Sequence, residues 1–164
     1  MKRKKNKVFL DSNVILSGLF SDKGPPRLLL DILCLGLPMI TGVTGRYNLI
    51  EIERNIKKRL PAALPLYQAY LTKLKMEIVP LPSQEDIRRF AGTTSLKDIP
   101  VIASAFVANA DFLVTGDKEI LFAVQGKRRF PFKIISPADF FGFTLPEILK
   151  RLEDNLSKKN LYRR

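Results

Sequence analysis

Five short apolar runs alternate with longer helix-patterned segments along this chain. The runs are Val8-Phe9-Leu10, residues 37–41, Glu77-Ile78-Val79-Pro80, residues 111–115 and Phe132-Lys133-Ile134-Ile135. Helical patterning covers residues 27–35, 44–60, 66–74, 83–91, 100–109 and 118–122, and residues 14–20 have room for a helical turn. Pro26 and Pro100 suit first helical turns, Gly36 suits a helix end and Ser83 an N-cap. Apolar strands joined by helical crossovers predict an α/β fold with a parallel sheet covered on both faces. Sheets of this kind bind ligands at the carboxyl ends of their strands.

The first run ends on that edge in Asp11-Ser12-Asn13. The fourth ends in Thr115-Gly116-Asp117, with a glycine that permits a tight turn. Asp98 stands just before Pro100, at a helix start. Glu51 lies inside helix 44–60 between Ile50 and Ile52, at the edge of the stripe that faces the sheet. Each acid alone has an ordinary explanation. Asp11 and Asp98 could cap helices, Asp117 could serve a turn, and Glu51 could pair with Arg54 or Asn55. Together they point to one crevice. Two carboxylates at ~5 Å repel by about 3 kcal/mol at an effective dielectric near 20. A divalent cation resolves that repulsion, and an all-oxygen donor set favours Mg²⁺ or Mn²⁺ over zinc. Such a site suits phosphodiester hydrolysis.

Charge agrees with an anionic substrate. Lys and Arg number 28 against 16 Asp and Glu, a net +12, which favours polyanions, nucleic acid first. The chain has no histidine, which excludes His-based triads and His-ligated zinc. Cys34 is the sole cysteine, so no intrachain disulfide forms, in keeping with a reducing compartment. The basic start, residues 1–7, is followed by an apolar stretch that Asp11 interrupts at once, unlike a secretory signal. No run reaches the ~18–20 apolar residues that span a bilayer. The expectation is a soluble cytoplasmic protein without membrane association. Residues 1–142 are expected to form the compact body, with 1–7 as a basic extension and 143–164 as a basic helix and tail. Lys127, Arg128 and Arg129 sit beside Phe130, either as a phosphate-contacting loop or as an exposed connection.

Four stretches resemble the PIN-domain nucleases, including the VapC-type toxins: Val8-Phe9-Leu10-Asp11-Ser12-Asn13-Val14, Asn48-Leu49-Ile50-Glu51-Ile52-Glu53-Arg54, Lys97-Asp98-Ile99-Pro100-Val101, and Ala110 to Lys118 with its Leu-Val-Thr-Gly-Asp-Lys. Their order and separations match as well, over residues 7–142. The resemblance implies a three-layer α/β/α Rossmann-like fold with a central parallel sheet of about five strands. It implies a Mg²⁺- or Mn²⁺-dependent endoribonuclease acting on RNA, and, as in many small members, the toxin of a toxin–antitoxin pair, often dimeric. Carried onto this chain, Asp11, Glu51, Asp98 and Asp117 are the catalytic acids. Asp11, Asp98 and Asp117 hold metal, Glu51 positions or deprotonates the attacking water, and Asn13 and Thr115 orient the acids. Glu53 rivals Glu51 but lies about 200° round the helix; the family pattern favours Glu51. Asp111 reads as structural. The competing reading is a catalytically inactive PIN-fold module that binds RNA or a protein. A phosphatase of the haloacid-dehalogenase class requires an aspartate where Asn13 stands, and no Gly-rich nucleotide motif occurs.

Overall fold

The structure is a computed structural model that describes residues 5–123 and 130–161. Lys127, Arg128 and Arg129 lie outside the described residues. In β1 (Asn6–Leu10) successive side chains point to opposite faces. Val8 and Leu10 enter one apolar layer and Phe9 the other. The same split recurs in β4 (Phe112–Val114) and β5 (Lys133–Ile135), where Val114 and Ile135 join Leu10, while Leu113 and Ile134 join Phe9. Both faces are therefore buried. With β2 (Ile40–Gly45) and β3 (Glu77–Val79) the strands form one five-stranded sheet, all parallel, in the order β3-β2-β1-β4-β5.

Helices α1 (Ser12–Leu19), α2 (Pro25–Leu35), α3 (Arg46–Arg59) and α4 (Leu64–Leu74) cover the Leu10 face. Helices α5 (Gln84–Arg89), α6 (Ile99–Val107) and α7 (Lys118–Ala123) cover the Phe9 face. The chain winds from β1 outward through β2 to β3, then returns to place β4 on the other side of β1. The winding direction thus reverses between β1 and β4, and the carboxyl ends of that pair open a crevice.

The second strand differs from the 37–41 expected. Leu37–Met39 turn, with the Ile40 N–H donating to the Leu37 carbonyl at 3.2 Å, and the strand runs 40–45. The Thr44 hydroxyl donates to the Leu10 carbonyl at 2.9 Å, which ties residue 44 to β1 and delays α3 to Arg46. Pairing with both β1 and β3 outweighs the local helical signal. Gly42 serves the packing: a Cβ there would come within 2.8 Å of Leu33 Cδ1 on α2.

The C-terminal third ends in one helical run: α8 (Pro137–Asp139), a π-helical stretch Phe140–Thr144, and α9 (Leu145–Leu161). The division expected after Gly142 falls inside it. Phe140, Leu145 and Ile148 are buried in the Leu10-side core, and the Phe140 ring meets Phe112 edge-on at 6.2 Å. Among the described residues no helix is long and apolar enough to cross a membrane.

Candidate active site

Asp11 follows the last residue of β1 and caps α1, accepting the Ser12 N–H at 2.7 Å. Its capping role does not exhaust it. The same Oδ1 accepts from Asn48 Nδ2 of α3 at 3.1 Å, and Oδ2 accepts from Thr115 Oγ1 at 2.7 Å and Asn13 Nδ2 at 3.1 Å. Asp11 is only 3% exposed. Burial pushes its carboxyl up to about 6, with the Glu51 charge adding to the rise and the Thr115 and Ser12 hydrogen bonds opposing it.

Glu51 joins through Ser12, whose hydroxyl donates to Glu51 Oε2 at 2.8 Å and lies 3.3 Å from Asp11 Oδ1. Asn48 and Glu51 are one helical turn apart on α3, so both face the crevice. Glu53 does not: it lines an open trough with Ile50, Arg54, Lys57 and Lys58 and acts electrostatically on Tyr67. The Asn55 amide donates to the Glu51 backbone carbonyl, not to its carboxylate.

Asp117 stands three residues beyond Val114 of β4. Its Oδ1 accepts the Glu119 and Ile120 N–H groups at 2.8 and 3.3 Å, which caps α7 and leaves Oδ2 available. Thr115 ties it to Asp11: the Thr115 hydroxyl donates to Asp11 and accepts the Asp117 N–H at 3.0 Å. Asn13 closes the same loop by accepting the Gly116 N–H at 2.9 Å. A Cβ on residue 116 would sit 3.3 Å from Asn13 Oδ1, so glycine allows this approach.

Asp98 starts α6 but makes no side-chain cap; its carboxylate accepts from Ser95 Oγ instead. Burial raises its pKa, Ser95 lowers it, and the Asp117 charge raises it further. Carboxylate oxygens of Asp98, Asp117 and Glu119 lie within 4.8 Å of one another. The crevice therefore has two parts. Asp11 and Glu51 are bound into a network of hydroxyl and amide donors. Asp98, Asp117 and Glu119 form a close carboxylate group with few donors.

Six of the expected residues, Asp11, Asn13, Glu51, Asp98, Thr115 and Asp117, thus lie at the carboxyl edge of the sheet around the β1–β4 crevice. Ser12, Asn48, Ser95 and Glu119 were not singled out from the sequence. Asn48 had a usable signal, three residues before Glu51 on the same helix face. Asp111 is structural as expected: its Oδ2 accepts the Lys7 N–H at 2.9 Å, and its own N–H donates to the Lys7 carbonyl at 2.9 Å.

A parallel α/β sheet with an acidic crevice at its switch point defines the class of this protein. The family profile described as PIN domain matches residues 7–119, and the chain belongs to the PIN-domain family. PIN domains are generally nucleases, and PIN nucleases generally use divalent metals. No curated protein sequence matches the chain. Among solved structures, FitAB bound to an IR36 DNA fragment is similar at 17% identity and TM-score 0.59, over 79% of this chain and 94% of that one. VapBC-1 from nontypeable Haemophilus influenzae is similar at 14% identity and TM-score 0.57, over 80% and 98%. VapBC2 from Rickettsia felis, bound to a DNA fragment from its promoter, is similar at 15% identity and TM-score 0.55, over 79% and 98%. At these identities the likeness is one of fold.

Proposed function

We propose that this chain is a divalent-metal-dependent endoribonuclease, with Asp11, Glu51, Asp98 and Asp117 as its working acids. The supporting observation is the approach of the Asp98, Asp117 and Glu119 carboxylates to within 4.8 Å beside buried Asp11, in a chain of net charge +12. The donor set fits a hard cation. Every candidate ligand is a carboxylate, like charges at this spacing repel one another, and the chain contains no histidine. Asp98 and Asp117, with Asp11 behind them, would hold Mg²⁺ or Mn²⁺; Glu119 is a third carboxylate within reach.

The protein's own residues perform the rest. A bound divalent cation supplies Lewis acidity, lowering the pKa of a water and offsetting charge on the phosphoryl oxygens. Ser12 holds Glu51 Oε2, which leaves the other carboxylate oxygen to orient the attacking water and take its proton. Thr115 and Asn13 hold Asp11 in place and fix the Asp117 loop against it. Asp11 already accepts four hydrogen bonds, which fills its ordinary acceptor capacity.

The setting proposed is that of a cytoplasmic toxin with a cognate antitoxin. An apolar cavity of about 220 Å³ lined by Leu19, Phe20, Arg27, Ile56, Leu66 and Tyr70, with Phe20 and Leu66 exposed, supports a protein partner. Growth arrest on expression, relieved by the product of an adjacent gene, would support that setting. A homodimer is the proposed assembly, read by light scattering. The nuclease itself is tested with structured RNA and Mn²⁺, comparing the native chain with Asp11→Asn. Cleavage by the native chain alone is expected. Cleavage that survives the substitution would reject the site, and RNA binding without cleavage by either form would favour the inactive module.

A further inference from the structure

Helix α3 carries a feature that the acidic crevice does not use. At 100° per residue, Tyr47, Ile50, Glu51, Arg54, Lys57 and Lys58 occupy one face about 120° wide. The face starts at the crevice. Tyr47 is half-buried, and its phenol feels the charges of Glu51, Asp98 and Asp11 and, in the opposite sense, of Arg54. Its hydroxyl donates to the Lys97 carbonyl at 3.1 Å, so the ring is fixed beside the Asp98 loop. Arg54, Lys57 and Lys58 follow over the next two turns, about 5–10 Å along the axis from Glu51. All three are exposed, and none forms an ion pair with a carboxylate of the described residues. With Ile50 and Glu53 they line an open trough of about 480 Å³. Glu53 forms its far wall, on the Tyr67 side.

We infer that this face of α3 is the track for single-stranded RNA leaving the crevice, with Arg54, Lys57 and Lys58 on its phosphates and Tyr47 and Ile50 under a base. Arg54 stands nearest the acids, and Lys57 and Lys58 flank its line a turn further on, about 100° apart round the helix. These exposed cations complement a phosphate backbone, and they lie far enough from the acids to attract the strand that the acids repel. An aromatic ring and an exposed aliphatic beside them match a single strand, whose bases stack on side chains. The inference rests on the nuclease reading for what the strand does at the crevice, but it concerns binding and is tested without cleavage.

The test is fluorescence anisotropy with the full chain in EDTA and a labelled, unstructured oligouridine, over a series of salt concentrations. Arg54→Ala, Lys57→Ala and Lys58→Ala combined should weaken binding by about tenfold or more and lower the salt slope by about 2, at ~0.7 per single-strand phosphate contact. Lys23→Ala, Lys73→Ala and Lys133→Ala combined remove the same charge from exposed sites elsewhere and should change affinity by less than about twofold, since only bulk charge is lost. Tyr47→Ala should weaken binding several-fold, and Tyr47→Phe should restore it. Equal losses in the two triple variants, no loss in the α3 triple, or no binding by the native chain would each overturn the inference. So would a labelled RNA duplex that binds as tightly and depends on the same three cations. Failed binding here leaves the cleavage assay to stand on its own, and failed cleavage leaves the α3 track unaffected.

Discussion

The two parts of the crevice are built in opposite ways. Asp11 is deeply buried but hydrogen-bonded by Ser12, Asn13, Asn48 and Thr115, which come from α1, α3 and the end of β4. Asp98, Asp117 and Glu119 are close to one another, yet among the described residues their donors are few and local: Ser95 for Asp98 and backbone N–H groups of α7 for Asp117. The first part is pre-organised by the fold, because its charge is spread over oriented dipoles. The second gathers three carboxylates with few donors among the described residues. In the proposed nuclease reading a cation gains most at the second part, and the first supplies orientation. Thr115 connects them, donating to one and accepting from the backbone of the other.

That contrast can be broken at its acids first. Asp98→Asn or Asp117→Asn should lower RNA cleavage by on the order of 10²–10³-fold, the scale of losing one electrostatic element of a site, as read by single-turnover kinetics in Mn²⁺. Removing the connection comes next. Thr115→Val should reduce cleavage or Mn²⁺ affinity by roughly 10–100-fold, because it frees Asp11 to turn and releases the Asp117 N–H. It should also cost about 1–3 kcal/mol in urea denaturation, since a buried carboxylate loses a partner.

The buried half also makes a prediction about pH. In metal-free protein the Asp11 carboxyl rises from 3.8 to about 6 on folding. Between those values the folded state binds more protons than the unfolded state. The contribution to stability is complete below the unfolded value and is lost as pH rises through about 6. Asp98 shifts in the same direction. Going from pH 5 to pH 7 in EDTA should lower the melting midpoint by about 5 °C, and Asp11→Asn should flatten that dependence. Adding Mn²⁺ at pH 7 should raise the midpoint again. The smallest effect is expected off the crevice: Glu53→Gln should leave kcat within about twofold, whereas Glu51→Gln should not, since only Glu51 meets the Ser12 hydroxyl.

Much of this arrangement is legible in the sequence because strand ends are. An apolar run that stops at Asp11, and another that stops at Thr115-Gly116-Asp117, place two acids on one sheet edge by topology alone. Asp98 is only half legible: its position before Pro100 suggests a cap, and the structure shows the carboxylate turned to Ser95 instead. Ser12 and Asn48 escape because their partners lie 39 and 37 residues away, and local pattern carries no distance information. Glu119 escapes because two residues along a helix start ordinarily point apart; here the Asp117 cap turns the chain and brings both acids to Asp98. The start of β2 was misplaced because Leu37–Met39 look as apolar as a strand, while pairing to β1 through Asn6 and Val8 begins only at Ile40.

The division of labour between the two halves is tested most directly by titrating Mn²⁺ into metal-free protein and following the loss of its free-ion electron paramagnetic resonance signal. The native chain should bind saturably. Asp98→Asn and Asp117→Asn should each weaken binding by at least about tenfold, as expected when a ligand is lost, whereas Glu53→Gln should match the native chain. Binding of native strength in both Asp98→Asn and Asp117→Asn would contradict a cation held by the donor-poor carboxylates.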